Sequence, residues 1–99
     1  MNISEWQQNA KPETNPPLFK SGTEIMLAIS EELGEVAKEI ALLERVGTKV
    51  FWELDPSVDR LAEEITQVLN LTAALADHFG IDLDRVYENK RNNKPSSSP

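Results

Sequence analysis

The sequence predicts an all-α domain: two long antiparallel helices with shorter helices at either end. Three observations carry the prediction. Apolar residues recur at the helical period over two separate stretches. Ile25, Ile29, Leu33, Val36, Ile40 and Leu43 form the first stripe, and Leu61, Ile65, Val68, Leu71, Leu75 and Phe79 form the second. Both stretches are bracketed by helix start and stop residues. No strand-like alternation runs anywhere along the chain, since Val50-Phe51-Trp52 leans towards β but is too short to build a sheet.

Taken in order, Asn2 to Gln8 suits a short first helix, with Ile3 and Trp6 on one side. Lys11 to Pro17 is predicted to be a loop, because Pro12, Pro16 and Pro17 forbid regular structure there. Leu18 and Phe19 are expected to pack on the next helix. Ser21-Gly22-Thr23-Glu24 has the spacing of a capping box, and the helical period then holds from Glu24 to about Arg45. Gly34 is the weak point of that helix. It is either tolerated or placed to let another helix approach near Glu35. Gly47 is the expected stop. Thr48 to Leu54 connects to a third helix, predicted to open at Asp55-Pro56 and to end at His78 or Phe79, before Gly80. Asp82 caps a last helix through about Asn92, with Leu83, Val86 and Tyr87 as its apolar positions. One domain is expected over residues 1–94, and residues 95–99 as a disordered tail with nothing to bury.

Composition narrows the partners. A chain of 99 residues buries only a modest core, and small helical units often complete theirs by oligomerising. The formal charge of −7 argues against nucleic acid and against an anionic membrane surface as partners. No cysteine is present, which excludes disulfides and thiolate zinc sites. Met1 to Trp6 has no basic region followed by an apolar run, and no apolar run reaches the ~20 residues of a membrane span. A soluble, cytoplasmic protein is the expectation.

The chemistry lies in carboxylates on the wrong face. At about 100° per residue, Glu32 falls inside the first apolar stripe, roughly 20° from Ile25 and Leu43. Glu64 falls inside the second, about 20° from Leu71 and Leu75. A buried, unpaired carboxylate is costly or takes up a proton. Carboxylates converging from two helices call for a hard cation with oxygen ligands, so a magnesium-type cage between the helices is the candidate site. Glu31 and Glu63 point further round and also suit ordinary surface charges, as does Glu35 paired with Lys38 or Glu39 along its own helix.

The residues resemble a known family. Glu31-Glu32-x-x-Glu35, followed after residues 36 to 63 by Glu64-x-x-Gln67, is similar to the E-E-x-x-E, spacer, E-x-x-D signature of the MazG-like all-α nucleoside triphosphate pyrophosphohydrolases. Ile3-Ser4-Glu5-Trp6, Phe79-Gly80-Ile81-Asp82-Leu83 and Val86 to Lys94 extend the resemblance over residues 2 to 94. The chain departs from the pattern at Gln67, where the family has aspartate. Glutamine offers a neutral carbonyl oxygen and no charge.

The resemblance implies a four-helix bundle completed by dimerisation, as a dimer or tetramer. It also implies Mg²⁺-dependent (or Mn²⁺-dependent) hydrolysis of an NTP or dNTP to the monophosphate and pyrophosphate, as house-cleaning of nucleotide pools. On that reading Glu32, Glu35, Glu64 and Gln67 face the metal, while Glu31 and Glu35 serve catalysis. Lys90, Arg91 and Asn93 meet the phosphates, and Trp6 and Trp52 wall the base. The competing reading, which Gln67 favours, is a catalytically impaired or non-catalytic helical protein kept for nucleotide binding or oligomerisation. The lone His78 speaks against a di-iron carboxylate bundle, which uses Glu-x-x-His pairs.

Overall fold

The computed structural model describes residues 1–10, 21–47 and 54–93. Among them are four α-helices and no strand: α1 (Ile3–Asn9), α2 (Gly22–Glu44), α3 (Val58–His78) and α4 (Leu83–Asn92). The all-α expectation holds. No helix is long and apolar enough to cross a membrane among the described residues. The expected loop at Lys11 to Pro17, the packing of Leu18 and Phe19, the aromatics Phe51 and Trp52, and the tail from Lys94 lie outside the described residues.

Each helix starts where a side-chain oxygen satisfies one of the backbone donors that the first turn leaves unpaired. Asn2 Oδ1 accepts from the Glu5 N–H at 2.8 Å, and Ser21 Oγ from the Glu24 N–H at 3.2 Å. Asp82 Oδ1 accepts from the Arg85 N–H at 3.2 Å. The starts at Ser21 and Asp82 follow the sequence, while the first helix, expected from Asn2, opens one residue later with Asn2 as its cap. The start of α3 differs: Ser57, not Asp55, is the cap, its Oγ accepting from the Arg60 N–H at 3.1 Å. Asp55 instead turns its backbone carbonyl to the Arg60 guanidinium.

The end of α2 also differs. The helix stops at Glu44, and Arg45 turns left-handed at φ 54°, two residues before Gly47. The Val46 N–H then bonds back to the Ala41 carbonyl at 3.0 Å. A side chain in this conformation crowds its own carbonyl, which costs roughly 1–2 kcal/mol. Arg45→Gly is therefore expected to stabilise the fold by about 0.5–1 kcal/mol, read as a higher melting temperature.

Helices α2 and α3 pack antiparallel. Gly22 at the start of α2 lies against the Phe79 ring at the end of α3, where an added Cβ would come within 2.6 Å of the ring. Glu39 near the end of α2 meets Arg60 near the start of α3. Ile25, Ile29 and Leu71 form the core between them, with Ala28 and Leu75 against it. The buried seam on α2 is not quite the predicted stripe. Ile25, Ile29 and Leu42 are buried, but Leu33 and Ile40 are exposed, and Glu39 is buried in their stead. Spacings of four and three residues run 25, 29, 32, 36, 39, 42, and the partner helix selects this seam. On α3, Leu71 is buried while Ile65 and Phe79 are exposed.

Helix α1 packs on α3 and α4. Gln7 is the fastener: its Nε2 donates to the Ile81 carbonyl at 2.6 Å, and its Oε1 accepts from the Leu83 N–H at 3.1 Å. Ser4 Oγ donates to Asp84 Oδ2 at 2.9 Å. Gly34 is exposed, and among the described residues nothing lies within 4 Å of the place its Cβ would take. Among the described residues it is therefore a tolerated glycine.

Candidate functional site

The seam between α2 and α3 brings Glu32 and Glu64 face to face. They come from opposite helices and their carboxyl groups are within hydrogen-bonding reach. Both are half-buried. The Glu64 carboxyl is held above the ordinary glutamate range, first by its hydrogen bond with Glu32, then by desolvation and by the charges of Glu32 and Glu35, with Lys38 acting the other way. Two carboxylates sharing one place on a seam hold a proton that either alone would release.

That shift has a signed consequence for stability. A carboxyl with a raised value in the fold binds its proton more readily folded than unfolded. Its stabilising contribution is present at low pH and is lost as pH rises through the folded value. Glu64→Gln removes the loss. In thermal melts of the cation-free protein, the variant is expected to match the native chain near pH 4, below the ordinary glutamate value of about 4.3, and to melt higher at pH 7.

One turn along α2, Glu35 is exposed and paired with Lys38, Nζ to Oε2 at 2.8 Å. One further turn on, Glu39 is the fully buried carboxylate of the chain's described part, 2% exposed. Its Oε1 accepts from Arg60 Nε at 3.1 Å, and its Oε2 lies 3.8 Å from Lys38 Nζ. Reading the apolar stripes alone missed Glu39 and Arg60 as a site-supporting pair. The signal was present in the four-and-three spacing, which puts Glu39 on the same seam as Glu32.

The remaining expected residues fall in different places. Gln67 is exposed. It lines, with Glu63, Glu64 and Thr66, an open depression of about 480 Å³ on α3. Glu31 is exposed on α2, and Trp6 is half-buried on α1. Lys90, Arg91 and Asn93 sit at the exposed end of α4, where Arg91 pairs with Glu88 of its own helix at 3.8 Å. The charges that act on Glu64 come from α2, and none of them from α4. Among the described residues the seam thus brings Glu32 and Glu64 together, with Glu35 one turn along α2, while α4 packs on α1. Trp52 lies outside the described residues.

The donor set suits a hard cation in kind: three carboxylates and one amide oxygen, with no soft ligand. Its geometry is not closed. Among the described residues, no three histidine, cysteine, aspartate or glutamate side chains stand together closely enough to hold a metal ion. What the seam supplies is a pair of opposed carboxylates whose repulsion a divalent cation would relieve. Compared with family models, curated proteins and solved structures, the chain matches none.

Proposed function

We propose that this chain is a Mg²⁺-dependent nucleoside triphosphate pyrophosphohydrolase of the MazG-like kind. It would cut an NTP or dNTP between its α and β phosphates to give the monophosphate and pyrophosphate, clearing nucleotide pools. The observation that supports this reading best is the opposed pair Glu32 and Glu64 on a seam that ordinary packing would fill with leucine. Placing two carboxylates there disfavours the cation-free fold, and a cation-dependent function gives a reason to keep them.

On this reading Glu32, Glu35 and Glu64 hold Mg²⁺, or Mn²⁺ in its place, with Gln67 as a neutral oxygen at the edge. The ion supplies positive charge to a polyanionic substrate that an acidic seam would otherwise repel. Glu31 and Glu35 orient the attacking water and accept its proton. Lys90, Arg91 and Asn93 meet the phosphates through charge-assisted hydrogen bonds. Trp6 and Trp52 wall the base. Because α4 packs on α1, a second copy could supply these groups.

A second copy also suits the apolar surface. Met26, Leu33 and Ile40 on α2 are exposed, as are Val58, Ile65 and Leu69 on α3. By the helical period and the antiparallel packing, the two sets fall on the same side of the pair. Covering that side with the same surface of another chain builds a four-helix bundle, as a dimer or a dimer of dimers.

The test is pyrophosphate release from a panel of canonical, deoxy and modified triphosphates with Mg²⁺ or Mn²⁺. Release is expected from at least one of them, and Glu35→Gln is expected to lower it about a hundredfold or more. Silence across the panel would favour the second reading: a non-catalytic helical protein that keeps the bundle for nucleotide binding or self-association. Gln67 and the open geometry of the carboxylates favour that alternative. It requires that Mg²⁺ leave the melting temperature unchanged and that Glu32→Leu raise it.

A further inference from the structure

Glu39 and Arg60 form a buried polar contact between α2 and α3 that the proposed function does not use. Ile25 and Glu39 are the two largest fully buried side chains among the described residues, one towards each end of α2. Glu39 Oε1 accepts from Arg60 Nε at 3.1 Å across the seam. Lys38 Nζ, at 3.8 Å, belongs to the same helix as Glu39 and stays beside it however α3 is placed. Arg60 is the one lysine or arginine of α3. The rest of the seam discriminates poorly between placements of α3. The buried apolar side chains of α3 are Leu71, Ala73, Ala74 and Ala76. Burial of apolar surface is non-directional, and small side chains interlock weakly. The connection between the helices, residues 45–57, is longer than the roughly 2–8 residues usual between packed helices, so its length does not fix their register either.

We propose that the Glu39–Arg60 ion pair sets the register of α2 against α3, and so positions the residues that face each other along the seam. A slip of α3 by one turn brings Glu63 or Glu64 to the place of Arg60 in one direction, and Pro56 or Ser57 in the other. None of these carries a positive charge. Each such register leaves the buried Glu39 carboxylate with Lys38 alone, or facing a second carboxylate, and a poorly paired buried charge is costly. The same slip costs the apolar contacts little, since Val68 and Leu75 stand one turn either side of Leu71 and take its place. The register chosen is the one in which Glu32 meets Glu64, one turn along α3 from Arg60. A one-turn slip separates them. The ion pair thus contributes a unique arrangement more than it contributes stability, as a single polar residue does at a coiled-coil seam. Glu39 and Arg60 have this role whether or not the seam takes up a cation.

The test is a distance measurement between two spin labels in the full chain, by pulsed electron paramagnetic resonance. The chain has no cysteine, so Thr23→Cys on α2 and Ala62→Cys on α3 give two exposed attachment points, well separated along the helix axes. A slip of one turn changes their separation by about 5 Å. The labelled chain with Glu39 and Arg60 in place is expected to show one distance, and two distances there overturn the proposal. Glu39→Met removes the buried charge and leaves the half-buried Arg60 free to reach solvent. It is expected to show a second distance about 5 Å from the first. The same is expected of Glu39→Leu combined with Arg60→Met. Leu42→Ala, which removes buried apolar volume from α2 and leaves the ion pair in place, is expected to melt lower and keep the single distance. The native distance alone in either Glu39 variant overturns the proposal, because the register then stands without the pair. A second distance in Leu42→Ala overturns it too, since any loosening of the seam then lets the helices slide. Failure of both Glu39 variants to fold also overturns it: a pair kept for register is replaceable by apolar residues without loss of the fold.

Discussion

Arg60→Ala is expected to cost the fold about 2–4 kcal/mol, read by chemical denaturation at neutral pH without divalent ions. Glu39 is 2% exposed, and Arg60 Nε is its closest cation, at 3.1 Å. Removing the guanidinium leaves a desolvated carboxylate with Lys38 alone, at 3.8 Å. Breaking a buried pair from one side typically costs about 3–5 kcal/mol, because the remaining charge has neither water nor partner. The lower range applies here because Lys38 remains and Arg60 is itself 39% exposed. The same substitution releases the Asp55 carbonyl from the guanidinium, which loosens the entry to α3. Glu39→Leu combined with Arg60→Met is expected to recover most of the loss, since an apolar pair of similar volume needs no desolvated charge. A loss below about 0.5 kcal/mol for Arg60→Ala would mean that the pair is solvated and holds nothing.

The largest expected gain in the proposed function belongs to Gln67→Asp. Gln67 is exposed beside Glu64, so the substitution is expected to leave folding stability within about 0.5 kcal/mol. It adds a negative charge where the resemblance places the family's aspartate. With a fourth carboxylate, affinity for Mg²⁺ is expected to rise at least tenfold, one more anionic ligand on a hard cation. Pyrophosphate release at subsaturating Mg²⁺ is expected to rise with it. The decisive reading is a Mg²⁺ titration of initial rate in both forms. A leftward shift of the curve with an unchanged plateau would mean that Gln67 limits ion binding. A raised plateau would mean that it limits catalysis. Coincident curves would remove position 67 from the site.

The sequence was informative where a side chain acts on its own backbone. Ser21 and Asp82 cap the helices they were expected to cap, and Asn2, expected as the first residue of its helix, caps it instead, because a short polar side chain finds the third backbone donor ahead of it whatever the tertiary context. The competition at α3 was not legible. Asp55 and Ser57 are both good caps, and Ser57 prevails where the Asp55 carbonyl is engaged by Arg60. The stop of α2 at Arg45 was hidden for a similar reason: Gly47 is the better left-handed residue, yet the turn falls two positions earlier.

The candidate site divides in the same way. Helical period alone put Glu32 and Glu64 inside apolar stripes, and the structure has them facing each other across the seam. Period alone did not settle which of Leu33, Ile40 and Glu39 would be covered. An amphipathic stripe is wider than the line of contact with one neighbour, and the choice falls to the helix packed against it. Sequence by itself determined the helical class, two of the four caps and the placement of carboxylates on an apolar face, since all of these depend on residues within a few positions of one another. Only the tertiary structure decided that Glu39 is buried and that Arg60 serves it, because the choice among the residues of a wide stripe follows from the register and rotation of two helices; the Glu35–Lys38 pair lies within α2 and was legible in its spacing.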